Sequence, residues 1–458
     1  MYKLEHIIDF KERLDDFWVY PKLSKKQNCR SYGDDYFAFL NNENLSSAKN
    51  NLYIHIPFCD SGCAFCPYYK KHGNDIQIRE YIDGVIEELS LYSRYAYYKK
   101  ITIDSVHFGG GNPLLLPVEQ IERVISSIKK LFDVAVEDNW TMEGSINSIK
   151  SIEQINHLKS LGIERMSFGI QTFNPIIRKE MKIKATLEDI ERGVDLLNQA
   201  DYKKYCFDLM YNMPDQTIQD VLDDLEKVDS LNPYHIDIYN MAVFPNTNLD
   251  KLIRKGTHFK INPSNKNQIE QYRVILKWLE EYGYRQLITN TFSKFQDNVH
   301  IGDLLYLSNN NVLGVGVSSR GYIEGFSYKN TCDIQEYLKQ VHQGNLPAEL
   351  AYKSSDDEHA DRKMIFFPIL MKIKKNDIPD LDRYISRINH IIELGLAYWE
   401  DDCLRLTKKG VFWSGNISAL FISEKNWNNY MKLFFNSIKE KTNPYNEDFM
   451  GIEGNEEC

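Results

Sequence analysis

Three cysteines, Cys59, Cys63 and Cys66, stand in the order C-x3-C-x2-C inside NLYIHIPFCDSGCAFCPYY, residues 51–69. Thiolates this close along a chain reach one metal centre, and the tetrahedral preference of such centres leaves a fourth position to be filled. Spacing alone allows two chemistries. One is a structural zinc completed by His55 or His72; the other is an iron–sulfur cluster.

Further residues with chemical potential fall where β-rich runs meet loops. His107-Phe108-Gly109-Gly110-Gly111-Asn112 ends one such run, and three successive glycines suit either a tight turn or close backbone approach to a ligand. Glu143 closes Thr141-Met142-Glu143-Gly144, as a surface carboxylate or as the partner of a polar ligand group. Gln171 and Asp208 hold equivalent places after Arg165–Ile170 and Phe207. Cys206 reads as an inert buried thiol or as a hydrogen donor, and His107 and His235 as satisfied core histidines.

These residues need a scaffold that brings strand ends together. Short β-rich runs at 51–56, 103–108, 139–143, 165–170, 204–210 and 234–240 alternate with helical patterns at Ile78–Ser93, Val118–Leu131, Thr186–Gln199 and Gln216–Val228. This alternation predicts an α/β fold, a parallel sheet forming a partial (β/α)6 barrel with ligands at the carboxyl ends of its strands. The 245–290 region offers one helix, Asn267–Tyr282, and one extended stretch, Arg285–Thr291, too little to close eight units. Residues 1–50 are expected to be a lead-in packed on the barrel, 51–330 the barrel, 331–440 a mostly helical, winged-helix-like accessory domain, and 441–458 an acidic disordered tail.

Tyr53-Ile-His55-Ile-Pro57-Phe58-Cys59, the cysteine triplet and Phe65 resemble the signature of radical S-adenosylmethionine (SAM) enzymes of the coproporphyrinogen dehydrogenase-like family. The resemblance implies a [4Fe–4S] cluster on Cys59, Cys63 and Cys66, with SAM on the fourth iron and a 5′-deoxyadenosyl radical as its product. It further implies a first SAM near Tyr53, Gly110 and Glu143, and a second near Phe65, Gly111, Asn112, Gln171, Asp208 and Ala242. Two positions depart from the family pattern. Asn112 replaces the usual Thr, and Ile183, between Lys182 and Lys184, stands where an Arg is general. Losing that Arg removes a charge-assisted hydrogen bond unless a lysine substitutes.

Leu313–Asn330, with Tyr322, Phe326 and Tyr328, and Leu406–Asn416, with Phe412 and Trp413, resemble the heme-degrading anaerobilin synthase-type subgroup. That resemblance implies a radical SAM C-methyltransferase that methylates heme and opens the porphyrin ring to a linear tetrapyrrole, releasing iron. An electron donor such as flavodoxin or ferredoxin is then needed. The alternatives are an oxygen-independent coproporphyrinogen III dehydrogenase, another class C radical SAM methyltransferase, or a non-catalytic heme chaperone. The chaperone type carries a His-Asn-x-x-Tyr-Trp heme motif, and the matching stretch here, His300 to Leu307, lacks it.

Composition sets the outer limits. With 458 residues, 43% of them hydrophobic, the chain can bury a large core. Its formal charge of −10 and lack of a basic block argue for a small-molecule substrate over nucleic acid. A charged start and the absence of a long apolar run predict a cytoplasmic protein with no membrane span, and five scattered cysteines beside the three clustered ones, eight in all, fit a reducing compartment.

Overall fold

Parallel pairing dominates the architecture. The computed structural model describes residues 10, 13–14, 20, 33–41, 48–135, 140–244, 246–256, 259–295, 304 and 306–423. Its strands are β1 (Asn50–Ile56), β2 (Thr102–Ile103), β3 (Ser105–Gly110), β4 (Asp133–Val134), β5 (Trp140–Gly144), β6 (Ile163–Gln171), β7 (Tyr205–Tyr211), β8 (His235–Asn240), β9 (Arg285–Gln286), β10 (Thr291–Ser293), β11 (Asn311–Val315), β12 (Arg320–Ile323), β13 (Phe326–Asn330), β14 (Ala348–Lys353), β15 (Lys372–Lys374), β16 (Ala397–Glu400) and β17 (Cys403–Leu406). Among the described residues, twelve of them form one sheet in the order β14-β13-β12-β11-β1-β3-β5-β6-β7-β8-β10-β9. All six expected barrel strands are present and run parallel from β1 to β8. A seventh parallel strand, β11, lies on the other side of β1. The expected single stretch at Arg285–Thr291 is instead two short strands, β9 and β10, that add antiparallel to the β8 edge. The sheet stays open, a partial barrel.

Helix boundaries follow their caps. Asn74 and Gln77 form a capping box, so the first barrel helix begins at Asp75 rather than Ile78. Thr186 and Thr217 cap Leu187–Gln199 and Ile218–Ser230 in the same way, which places the expected first residues outside the helices. These helices cover one face of the sheet. Leu52, Ile54 and Ile56 of β1, Val106 and Phe108 of β3, Met166, Phe168 and Ile170 of β6, and Phe207 and Leu209 of β7 are buried in one continuous core. Because side chains alternate across a strand, the residues between them face the other way, into the barrel lumen.

The barrel extends beyond the expected division at 330/331. Glu324 and Gly325 have φ of 49° and 85° and form the turn of a two-residue hairpin joining β12 to β13. β14 then pairs with β13, and Tyr337, Leu338 and Val341 of the helix Ile334–His342 pack into the barrel core. A second core begins with the helix Asp356–Leu370 and continues through β15, the helix Leu381–Glu393 and the β16–β17 hairpin, a winged-helix order. The lead-in divides between the two: Tyr36 and Leu40 join the barrel core, whereas Phe10, Leu14 and Tyr20 pack on the second. The acidic tail and residues 424–440 lie outside the described residues. Among the described residues, no helix is long and apolar enough to cross a membrane.

A buried carboxylate fixes the start of the cysteine loop. Glu88 accepts hydrogen bonds from the Gly316 N–H at 2.8 Å, Tyr337 Oη at 2.7 Å and Asn330 Nδ2 at 2.8 Å. Next to it, Tyr81 Oη donates to the His55 carbonyl at 2.7 Å and accepts from the Val317 N–H at 3.0 Å. Gly316, at φ 102°, must be glycine, since a Cβ would lie 2.5 Å from the Tyr81 hydroxyl. Burial raises Glu88 from 4.5 to about 7, against the three donors that lower it. The native state therefore holds a proton that the unfolded chain releases, and stability falls as pH rises from about 4.5 to about 7. Glu88→Gln, which does not titrate, should gain on the wild type across that window by on the order of 3 kcal/mol, read from denaturation midpoints at pH 5 and pH 8.

Candidate active site

The lumen is lined by three rows of residues set side by side by the strand register. Tyr53, His107, Thr141 and Arg165 form one row on β1, β3, β5 and β6. Glu143, Ser167, Cys206 and His235 form the next, across β5 to β8. Gly169, Asp208, Asp237 and Thr291 form the third. Of the residues expected at the site, the fold thus brings Tyr53, Glu143 and Asp208 onto one polar face.

Neighbouring side chains fix Glu143. His107 Nε2 is 3.0 Å from Glu143 Oε1, His107 Nδ1 is 2.6 Å from Thr141 Oγ1, and the Gly110 N–H donates to Glu143 Oε2 at 3.3 Å. The Tyr53 ring stacks on His107 at 5.6 Å, and its hydroxyl is 3.1 Å from His55 Nδ1. Burial lowers His55 to about 4 and holds its ring neutral. Its imidazole covers Gly110, whose φ is 109° and whose added Cβ would lie 2.7 Å from His55 Cε1. A Cβ on Gly109 would lie 2.9 Å from both Tyr53 and His107, and one on Gly111 would lie 2.6 Å from the Phe58 carbonyl oxygen. The three glycines are thus required by protein packing on β1 and the cysteine loop.

Asn112 is 1% exposed, and its amide is engaged at both ends: Nδ2 donates to Ser148 Oγ at 2.9 Å and Oδ1 accepts from the Ser145 N–H at 3.1 Å. It ties the loop after β3 to the loop after β5, where the sequence pointed to a ligand contact. Gly111 likewise gives its N–H to the Ile56 carbonyl at 2.7 Å. Gln171 sits at the end of β6 with φ 70°, and Ala242 lies two residues past the end of β8. Asp208 accepts from Ser167 Oγ at 3.0 Å. Burial, then Asp237 and Glu143, push it up to about 7, while Ser167 and His235 pull it down.

The cysteine loop closes over this mouth. Its stem is a ladder in which the Cys59 N–H donates to the Lys71 carbonyl at 3.0 Å and the Lys71 N–H to the Pro57 carbonyl at 2.8 Å. Its tip is held by the Ala64 N–H on the Met181 carbonyl and the Leu249 N–H on the Ala64 carbonyl, both at 2.9 Å. Burial, followed by the Cys66 thiol, pushes Cys63 up to about 11, and burial raises Cys59 with Cys66 as a lesser contributor. Thiols whose ionisation is opposed in this way fit a cationic metal centre, which supplies the charge that thiolates need. A structural zinc would take His55 or His72 as its fourth ligand. His72 is exposed, and His55 lies over Gly110.

Beside the loop stands an apolar wall. Ala64, Ile177, Met181, Met213, Met241 and Leu249 are buried together, with Phe65, Ile183, Met210 and Val243 partly buried against them. Ile183 therefore belongs to a continuous apolar surface. Lys184 does not replace the missing Arg, because it pairs with Asp60 in the cysteine loop at 2.5 Å.

A family model described as the radical SAM superfamily matches residues 53–228, from Tyr53 through the cysteine loop and the polar lumen. Across these residues the chain matches the radical SAM superfamily. This radical SAM protein is 25% identical to anaerobilin synthase of Escherichia coli O157:H7 over 378 residues, 82% of this chain and 84% of that protein. It is 29% identical to the heme chaperone HemW of Lactococcus lactis over 388 residues, 81% of this chain and 97% of that one. In fold it matches coproporphyrinogen III oxidase (HemN) from Escherichia coli with a TM-score of 0.75 at 20% identity, covering 90% of this chain and 99% of that one.

Several lumen residues carried too little sequence signal to be assigned a role. Asp237 and His107 join the polar network, and Asp60 pairs with Lys184, one of the two lysines flanking Ile183. The alternation in YCFDLMY and HIDIYN is the signal that marks Asp237 as lumen-facing. The aromatic residues Tyr322, Phe326 and Tyr328 are buried at 2%, 5% and 0% exposure, which leaves them as core residues. Phe412 packs on Tyr272 at 5.4 Å and Trp413 on Phe10 at 5.7 Å, joining segments of the fold. Most of the His300–Leu307 stretch lies outside the described residues.

Gly110→Ala should cost at least about 2 kcal/mol in denaturant unfolding, from the left-handed φ and the clash with His55. Gly62→Ala, in the same region with nothing within 4 Å of the new Cβ, should stay within about 0.5 kcal/mol of wild type.

Proposed function

We propose that this radical SAM protein is a C-methyltransferase that acts on heme and opens the porphyrin ring to a linear tetrapyrrole with release of iron. The observation that carries this reading is the two-sided mouth beside the three thiols. A polar lumen bearing Glu143 and Asp208 faces a methionine-rich apolar wall bearing Phe65, Met210 and Ile183. A cationic nucleotide suits the first surface and a broad apolar macrocycle the second. Similarity to anaerobilin synthase over most of both chains supports the same reading.

Cys59, Cys63 and Cys66 would hold a [4Fe–4S] cluster, which when bound with SAM supplies the one-electron cleavage that yields a 5′-deoxyadenosyl radical. Glu143, oriented by His107 and the Gly110 N–H, accepts hydrogen bonds from the amino group of a first SAM, with Tyr53 beside it. Gln171 and Asp208 hold a second SAM, the methyl donor, with Phe65 and Ala242 as apolar neighbours. Asn112 and Gly111 keep the surrounding loops in register. Ile183 replaces a charged contact with apolar surface and extends the wall toward the macrocycle. The protein works in the cytoplasm and draws electrons from a flavodoxin- or ferredoxin-type donor. The barrel at 51–353, its lead-in and the winged-helix unit act as one chain around this mouth.

The second reading is an oxygen-independent coproporphyrinogen III dehydrogenase, favoured by the HemN-like fold. Anaerobic reconstitution with iron, sulfide, SAM, a reductant and heme should remove the heme Soret band and give a methylated open tetrapyrrole. Intact heme with decarboxylation of coproporphyrinogen would instead support the second reading, and tight heme binding without turnover would support a chaperone. Cys63→Ala should lose cluster iron and SAM cleavage while keeping the wild-type circular dichroism spectrum. Gln171→Ala should reduce methyl transfer more than cleavage of the first SAM.

A further inference from the structure

A chain of polar side chains crosses the lumen beside Asp208. Cys206 Sγ lies 3.2 Å from His235 Nδ1, and His235 Nε2 lies 3.0 Å from Asp237 Oδ2. Asp237 Oδ1 accepts the hydroxyl hydrogen of Thr291 on β10. Cys206 and His235 are 0% and 3% exposed. Asp208 stands opposite Asp237 in the β7–β8 register. Two carboxylates on adjacent strands, both partly buried, cannot both ionise cheaply unless a cation faces them.

We propose that His235 is a positioning residue: clamped between Cys206 and Asp237, it sets an imidazole beside the facing Asp237 and Asp208 carboxyl groups, and so keeps Asp208 an acceptor for a cationic nucleoside. The inference rests on the proposed role of Asp208 in holding SAM. His235 does not touch that ligand. Its effect passes through the charge of the neighbouring carboxylates.

The surroundings are defined on every side. Glu143 faces Asp208 from β5, Ser167 from β6, and Asp237 and His235 from β8, with Cys206 on its own strand. Arg165 lies two rows away on β6, its guanidinium over the Tyr234 ring at 5.4 Å. Burial pushes His235 down, but the Cys206 sulfur and the Asp237 carboxylate outweigh it and raise the imidazole to about 10. The sulfur and the carboxylate thus favour the charged imidazole against burial, while burial and the neighbouring carboxylates push Asp208 up to about 7.

The test is equilibrium SAM binding by the anaerobically reconstituted full-length protein between pH 6 and 9, with no heme present. Wild-type affinity should fall as pH drops through about 7. In His235→Gln the midpoint of that fall should move up by on the order of one pH unit, because the proton on Asp208 is held more tightly. In Asp237→Asn it should move down, because the repelling charge is gone. Opposite displacements are not produced by a merely structural role. The direction of the midpoint, rather than affinity at one pH, is the readout, since removing a cation also strengthens attraction for the sulfonium. If His235→Gln fails to fold, the Asp237→Asn midpoint decides. An unmoved midpoint in the folded variants would overturn the inference. Asp208→Asn with the wild-type affinity and pH profile would overturn instead the assignment of Asp208 to SAM.

Discussion

Everything at the mouth of this barrel depends on the pleat of its parallel strands. Alternate residues of β1, β3, β6, β7 and β8 turn apolar groups outward beneath the helices and polar groups inward. A parallel sheet buried on both faces would normally read as continuous apolar runs. Here one face is polar because it lines a lumen, so strands such as IERMSFGIQ and YCFDLMY alternate instead. A one-residue slip in β5 or β7 would send Glu143 or Asp208 under the helices and an apolar side chain into the site.

The cysteine loop is fastened to that sheet from several directions. Glu88 and Tyr81 fix the β11 turn against the His55 carbonyl, and the β1–β3 ladder continues through Gly111 to the Ile56 carbonyl. The tip is tied to Met181 and Leu249, which belong to the segments after β6 and β8. Lys184 adds an ion pair to Asp60, partly exposed and therefore of modest strength. The loop is thus anchored by backbone hydrogen bonds to three separate segments of the chain.

The glycine triplet shows how a motif and its physical cause can differ. Gly109, Gly110 and Gly111 are glycine because Tyr53, His107, His55 and the Phe58 carbonyl occupy the space of their side chains. With no Cβ in the way, His55 and Tyr53 pack close to β3, and the Gly110 N–H reaches Glu143. Asn112 works in the same manner, joining two loops through its amide.

The linear chain was enough to establish the cysteine cluster, the six parallel strands and their helices, and the strand-end places of Glu143, Gln171 and Asp208. Those features are local: a spacing of thiols, a period of two or of 3.6, a turn residue after an apolar run. Partnership between distant segments was not legible. That β11 returns beside β1, that residues 331–353 extend the sheet by a further strand, that Lys184 meets Asp60, and that Cys206, His235 and Asp237 form one chain beside Asp208 were decided by tertiary structure alone. The register between neighbouring strands brings such residues together, and register is a property of the folded sheet that no single strand's sequence contains.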